Sequence, residues 1–363
     1  MKTRITILLA IIISAFLIQS CTTKKKAKGP EDVIHVVADT SEYLIIKDAL
    51  KETFGKIIHT PQPEELFTIQ RYSYNNLNSL KLKKNIIIAA PISSGSFTSK
   101  YLESIVDSSV KSLIFNDSVF VINKYDLWAE NQLVMILTAK DVGTLKNRII
   151  EKKDDLFYYF REASNKRLAK GVYNPRFEQK EIEAKLIEDY GWMMYVQADF
   201  KLAMDKPEDS FVWLRRGLNT DMERWIFVHW IEDSTPAFLH PDSIAIERDK
   251  MTKKFYTTTD DSAYVVSYDT YKMDSEVNFN NRYALMTQGL WKFNNESGGG
   301  PYISYSFYDE ETRRVYMLDA SIFAPKYFKK SVIQQVDVLL HSFKTESEID
   351  SLKKKDILEA LED

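Results

Sequence analysis

The sequence is short of the residues that most often carry chemistry. It has one cysteine, Cys21, and five histidines in 363 residues. A single thiol forms no internal disulfide, which excludes a stapled fold. His35, His59, His229, His240 and His341 contain no His-x-x-x-His pair, so the common zinc spacings are absent. No Gly-x-Ser-x-Gly occurs, and Ser108–Lys111 matches Ser-x-x-Lys without a later Lys-Thr-Gly. Glycine is scarce at 11 residues, and the one glycine-rich stretch is Ser297–Pro301. A proline and a strand-like run follow it, where a phosphate loop needs a helix, so it reads as a flexible connection or bulge. The sequence therefore names no cofactor, no metal and no catalytic residue. The net charge of −3 supplies no basic field, and no nucleic-acid partner is expected.

What the chain does have is aromatic bulk: 20 Tyr, 20 Phe and 6 Trp, which favour strands and large buried side chains. With 44% hydrophobic and 28% charged residues, the composition is globular and the length suits two domains.

The N-terminus has three parts. Lys2 and Arg4 are followed by Ile5–Ile18, apolar but for Thr6 and Ser14, and then by Gln19, Ser20 and Cys21. The apolar run is shorter than the roughly 20 residues a spanning helix needs, and reads as a signal peptide. With a cysteine at its end it resembles a bacterial lipoprotein signal, in which cleavage precedes a lipidated Cys. Gln19 departs from the small or apolar residue preferred there. Lipidation would remove the lone thiol and fix the chain to a bilayer through acyl chains. Residues 22–30, with Lys24, Lys25, Lys26 and Lys28, read as a solvated basic tether. No acidic run follows Cys21, so the expected location is the cell envelope, on the outer membrane facing the periplasm.

The body reads as α+β. Expected segments are a signal over 1–20, a lipidated Cys and tether over 21–32, and an α+β domain over 33–174. A second α+β domain over 175–345 and a charged helical tail over 346–363 complete the chain. Asn174-Pro175 is the expected boundary. Each domain is expected to hold a mostly antiparallel sheet covered by helices. A strand pair followed by a helix recurs, ending in FYYF (157–160) and LHSF (340–343). Leu145, Ile149, Ile150, Leu156, Phe157 and Phe160 align at one offset with Phe328, Val332, Ile333, Leu339, Leu340 and Phe343. This suggests an internal duplication.

The most promising binding residues lie in FVWLRRG (211–217). Strand alternation puts Trp213 and Arg215 on one face and Arg216 on the other. An Arg beside Trp suits a carboxylate, a sugar or a protein partner. Trp291, Gly299 and Gly300 are candidates for the same surface.

FVWLRRG, GLW (289–291), GGPYISY (299–305) and APK (324–326) occur in that order. Together with the N-terminal signal they resemble a family of Bacteroidota lipoproteins known as a domain of unknown function, of the 4837 type. The ending of sheet then helix resembles the PsbP/Mog1 kind of fold. The resemblance implies an envelope location and no activity. The expected role is a membrane-anchored binding or scaffold module with an envelope protein partner. The alternatives are an envelope hydrolase acting on cell-wall or glycan material, and a small-ligand carrier.

Overall fold

The computed structural model describes residues 24–361 except His59, Asn219 and Thr259. Cys21 and the signal lie outside the described residues. The chain folds as two compact units, one of residues up to Leu50 with Ile69–Lys152, the other of Lys51–Thr68 with Lys153–Asp363.

The first unit is built on β1 (Val33–Val37), β2 (Thr68–Tyr72), β3 (Asn85–Ala89), β4 (Val121–Tyr125) and β5 (Leu133–Leu137), ordered β2-β1-β3-β5-β4. β1, β3 and β5 pair in parallel, with His35 opposite Ile86 and Asn85 opposite Leu133. β4 joins β5 antiparallel. The expectation of an antiparallel sheet here is corrected. All five residues of β3 and of β5 are buried, the pattern of strands covered on both faces, which parallel pairing requires. Its longer helices are α1 (Thr40–Phe54), α2 (Phe97–Ile105), α3 (Ser108–Phe115) and α4 (Val142–Glu151). Asp141 caps α4 through the Thr144 N–H at 2.8 Å.

The second unit holds a seven-stranded antiparallel sheet. Its strands are β6 (Phe200–Lys206), β7 (Phe211–Arg216), β8 (Glu223–Ile231), β9 (Val265–Phe279), β10 (Arg282–Phe293), β11 (Gly299–Asp309) and β12 (Arg314–Phe323). Their order is β9-β10-β11-β12-β8-β7-β6. Around them lie α5 (Lys153–Val172), α6 (Lys180–Tyr190), α7 (Pro241–Phe255), α8 (Lys330–Leu340) and α9 (Ser351–Leu358). Alternation splits the apolar residues between two cores. Val212, Leu214, Ile226 and Val228 join Val332, Val336 and Leu340 of α8 on one face. Phe211, Trp213, Trp225 and Phe227 join Ile244, Met251 and Phe255 of α7 on the other. The α+β class and the antiparallel second sheet are as expected.

The duplication loses its support. The first apolar stripe is divided between α4 in one unit and α5 in the other, while the second belongs to one helix. Phe328, its proposed first member, precedes α8 and is 72% exposed. The basic tether is also not free: Ala27 N donates to Glu130 O at 2.8 Å and Lys28 N to Leu82 O at 2.6 Å.

Candidate functional site

β7 places Trp213 and Arg215 on one face, and the Arg215 guanidinium lies 5.5 Å from the Trp213 ring and 5.7 Å from Trp225. Its Nε and Nη2 donate to Glu223 Oε2 at 2.9 and 2.6 Å, and Trp225 Nε1 donates to the same oxygen at 2.8 Å. Trp291 joins through Trp225, with ring centroids 5.0 Å apart. All three indoles are buried. Arg215 thus spends its charge on a buried carboxylate, and its stem and plane cover the aromatic core.

Gly299 and Gly300 begin strand β11 rather than forming a flexible connection. A Cβ on Gly300 would sit 1.9 Å from Ile322 O, and one on Gly299 2.6 Å from Trp291 O. Close backbone approach therefore explains both glycines. With Trp291, Tyr268 and Lys292 they border a recess of about 450 Å³.

A different constellation has more chemistry. α8 is apolar on its inner face, yet carries Asp337 buried among valines and leucines and His341 one turn later at its C-terminal end. Tyr305 of β11 donates its hydroxyl to Asp337 Oδ1 at 2.6 Å. His341 Nδ1 lies 2.8 Å from Asp337 O and 3.4 Å from Oδ1, so Nδ1 carries a proton. From α5, Arg161 brings Nη2 to 3.5 Å of Asp337 Oδ2. Arg161, Tyr305 and His341 line a cleft of about 520 Å³ with Asn165, Asn278 and Asn281.

The charges follow from this packing. Burial opposes ionisation of Asp337. The His341 hydrogen bond and charge, then the Arg161 charge and the Tyr305 hydroxyl, outweigh it and hold the carboxyl down at about 2. Burial would lower His341, but its bond to Asp337 and the Asp337 charge raise it above the ordinary imidazole range. The α8 C-terminus favours the same imidazolium. Burial, followed by the Asp337 charge, keeps Tyr305 protonated well above its usual range. Asp337 and Glu162 thus stand against the Arg161 guanidinium and, when protonated, the His341 imidazolium, and Glu162 is also engaged by Lys166 at 2.9 Å.

Comparison with protein families places the chain. Residues 179–342 match the family model described as Domain of unknown function (DUF4837), and 27–173 match Domain of unknown function (DUF8532). The second half of this chain is thus similar to the DUF4837 family. Tyr305, Asp337 and His341 lie within the DUF4837 segment, while Arg161 comes from the other matched segment. No curated protein matches the chain. Among solved structures, a mutant of protein Mog1 is 9% identical, with a TM-score of 0.29 over 45% of this chain and 94% of that one. The Saccharomyces cerevisiae Ran-binding protein Mog1p is also 9% identical, with a TM-score of 0.28 over 43% and 90%. A Bacteroides thetaiotaomicron protein is 9% identical, with a TM-score of 0.25 over 44% and 47%. Likenesses at these scores carry no weight on function, and the architecture of the DUF4837 segment rests on its own strand pairing.

Sequence reasoning passed over Arg161, Tyr305 and Asp337 and took His341 only as one of five histidines. A signal existed: Asp337-Val-Leu-Leu-His341 puts an acid and a histidine four apart on an otherwise apolar helix. Among the described residues no group of His, Cys, Asp and Glu is arranged to hold a metal ion. No described helix is long and apolar enough to cross a membrane.

Proposed function

We propose that this chain is a lipid-anchored protein of the cell envelope that works by binding. The ligand is a small molecule bearing a carboxylate, taken by the Arg161–His341 cleft of the second unit. The gathering of Arg161, Tyr305 and His341 around buried Asp337 carries the reading. It supplies cationic donors on a pre-ordered frame, and three asparagine side chains line the same cleft. The cleft volume of about 520 Å³ suits a small ligand. The anchor is supported by the sequence ending in Cys21, and the outer membrane facing the periplasm is the proposed site of action. The buried state of Trp213, Trp225 and Trp291 favours this ligand-binding role over a protein partner held on an aromatic patch.

Titration of the purified chain with acetate and succinate, followed by NMR, tests the cleft. Shifts at residues around Arg161 and His341 are expected. Arg161→Gln should weaken binding by about tenfold or more, as loss of a charged hydrogen bond does. Affinity should be greatest at acidic pH and fall as pH rises through the raised His341 pKa, where the imidazolium is lost. Absence of carboxylate binding, or binding unchanged in Arg161→Gln, contradicts the reading. For the anchor, Cys21→Ala should abolish incorporation of labelled palmitate.

A further inference from the structure

The parallel strands β1, β3 and β5 all begin at one edge of the first unit's sheet, at Val33, Asn85 and Leu133. β4 ends at the same edge, with Tyr125 opposite Leu133. The segments 24–32, 81–84 and 124–132 therefore lie together there. Backbone bonds fix the arrangement. Glu130 N donates to Lys25 O at 2.9 Å, Ala27 N to Glu130 O at 2.8 Å and Lys28 N to Leu82 O at 2.6 Å. Lys24 Nζ reaches Asp126 O at 2.5 Å. Chain that the sequence presents as a loose basic leash is an extended strip seated between two loops.

This edge gathers Lys24, Lys25, Lys26 and Lys28 from the strip, Lys81, Lys83 and Lys84 from the loop before β3, and Lys124 from β4. Glu31, Asp32, Asp126 and Glu130 are the acids of the same segments, and Glu31 pairs with Lys84 at 2.5 Å. Basic groups predominate. Leu82 and Tyr125 stand exposed among them, at 38% and 58%. The opposite edge, where the parallel strands end, is mixed in charge, with Arg71 Nε donating to Ala38 O at 3.0 Å. Ser94 Oγ donates there to Glu42 Oε1 at 2.5 Å, and Asp39 accepts from Thr98 N at 2.9 Å. The sheet thus has a basic end and a mixed one.

We infer that the basic end seats the first unit on a bilayer surface of anionic phospholipid. Lysines gain from the negative surface potential within a Debye length, while a leucine and a tyrosine among them suit the headgroup zone. The choice of a membrane over an acidic protein or nucleic acid rests on the proposed anchor. Cys21 stands three positions before Lys24, roughly 10 Å of extended chain.

The Cys21→Ser chain, made without lipid, is mixed with vesicles of phosphatidylcholine alone or with added phosphatidylglycerol, and the bound fraction is read by sedimentation. Binding is expected only with phosphatidylglycerol and should fall steeply with added salt. Replacing Lys81, Lys83 and Lys124 together by Gln should lower partitioning by about a hundredfold, from roughly fivefold (about 1 kcal/mol) per lysine. The triple variant's melting temperature verifies its fold, and the salt dependence of the parent chain stands without it. Equal binding to both vesicles, parent-like binding of a folded triple variant, or tighter binding to a DNA duplex than to anionic vesicles would overturn the inference. Palmitate labelling separates this from the anchor: labelling without phosphatidylglycerol binding removes the seating surface and leaves the anchor, and the converse result removes only the anchor.

Discussion

In the first unit the central strands are apolar throughout, as in Ile86–Ala89 and Leu133–Leu137, and pair in parallel. In the second, every pairing of the large sheet is antiparallel, and the strands send alternate side chains to two cores. The difference decides where polar groups can sit. A parallel sheet buried on both faces leaves its ends for charge, and there the first unit gathers eight lysines at one edge and Asp39, Glu42 and Arg71 at the other. An antiparallel sheet can host polar groups on its faces wherever a helix brings a partner. On the α7 face Arg248 Nε donates to Asp319 Oδ2 at 2.7 Å, with its guanidinium 3.6 Å from the Tyr302 ring centroid. On the α8 face sit Tyr305, Asp337 and His341.

The contrast breaks most sharply at the buried pair. Arg248→Met leaves the Asp319 carboxylate without its counter-charge, and should cost the second unit about 3–5 kcal/mol. Hydrogen exchange should show that loss in β7–β12 while β1, β3 and β5 keep their protection. Equal loss in both units would mean that they unfold as one.

A smaller effect is expected at Gly300, where an added Cβ meets Ile322 O at 1.9 Å. Gly300→Ala should lower second-unit stability by about 1–3 kcal/mol, the usual range for overpacking, as read by urea melts. Unchanged stability would show that β11 and β12 can move apart there.

The last effect is read as a pH dependence and concerns Glu183 of α6. Burial, with the nearby Glu178 charge, raises its carboxyl to about 8 despite the bond from Val196 N. The folded state then holds a proton that the unfolded state has released. This contribution to stability falls as pH rises from about 4.5 to about 8. Raised His341 acts in the same sense, its contribution being full below its unfolded value and lost as pH climbs through the folded one. Glu183→Gln should flatten the decline in melting temperature between acidic and alkaline pH. An unaltered decline would assign it to other groups.

Much of this fold is legible in the sequence. The Asp141 cap, the β4–β5 hairpin, the run of strands from β7 to β12 and the Thr345–Glu348 capping box follow from local pattern. Parallel pairing was also signalled, since Asn85–Ala89 lacks the alternation of a half-exposed antiparallel strand. The joint between α4 and α5 is harder to read, because Leu145 to Phe160 keeps one apolar stripe across Lys152 while its two parts pack in different units. Trp213 and Arg215 were found because alternation is local. The cleft was not, because Arg161 meets Asp337 across 176 positions and no spacing rule spans that distance. Nor does a lysine-rich stretch announce that its backbone is bonded to two loops beside it.

The most direct test is hydrogen–deuterium exchange of the unlipidated chain, alone, with phosphatidylglycerol vesicles, and with succinate. The account predicts two separate footprints. Vesicles should protect 24–28, 81–84 and 124–130, and succinate should protect segments around Arg161, Asn278–Asn281 and Asp337–His341. Protection by vesicles at the cleft, or by succinate at the lysine edge, would contradict the division of labour between a membrane-facing first unit and a ligand-binding second one.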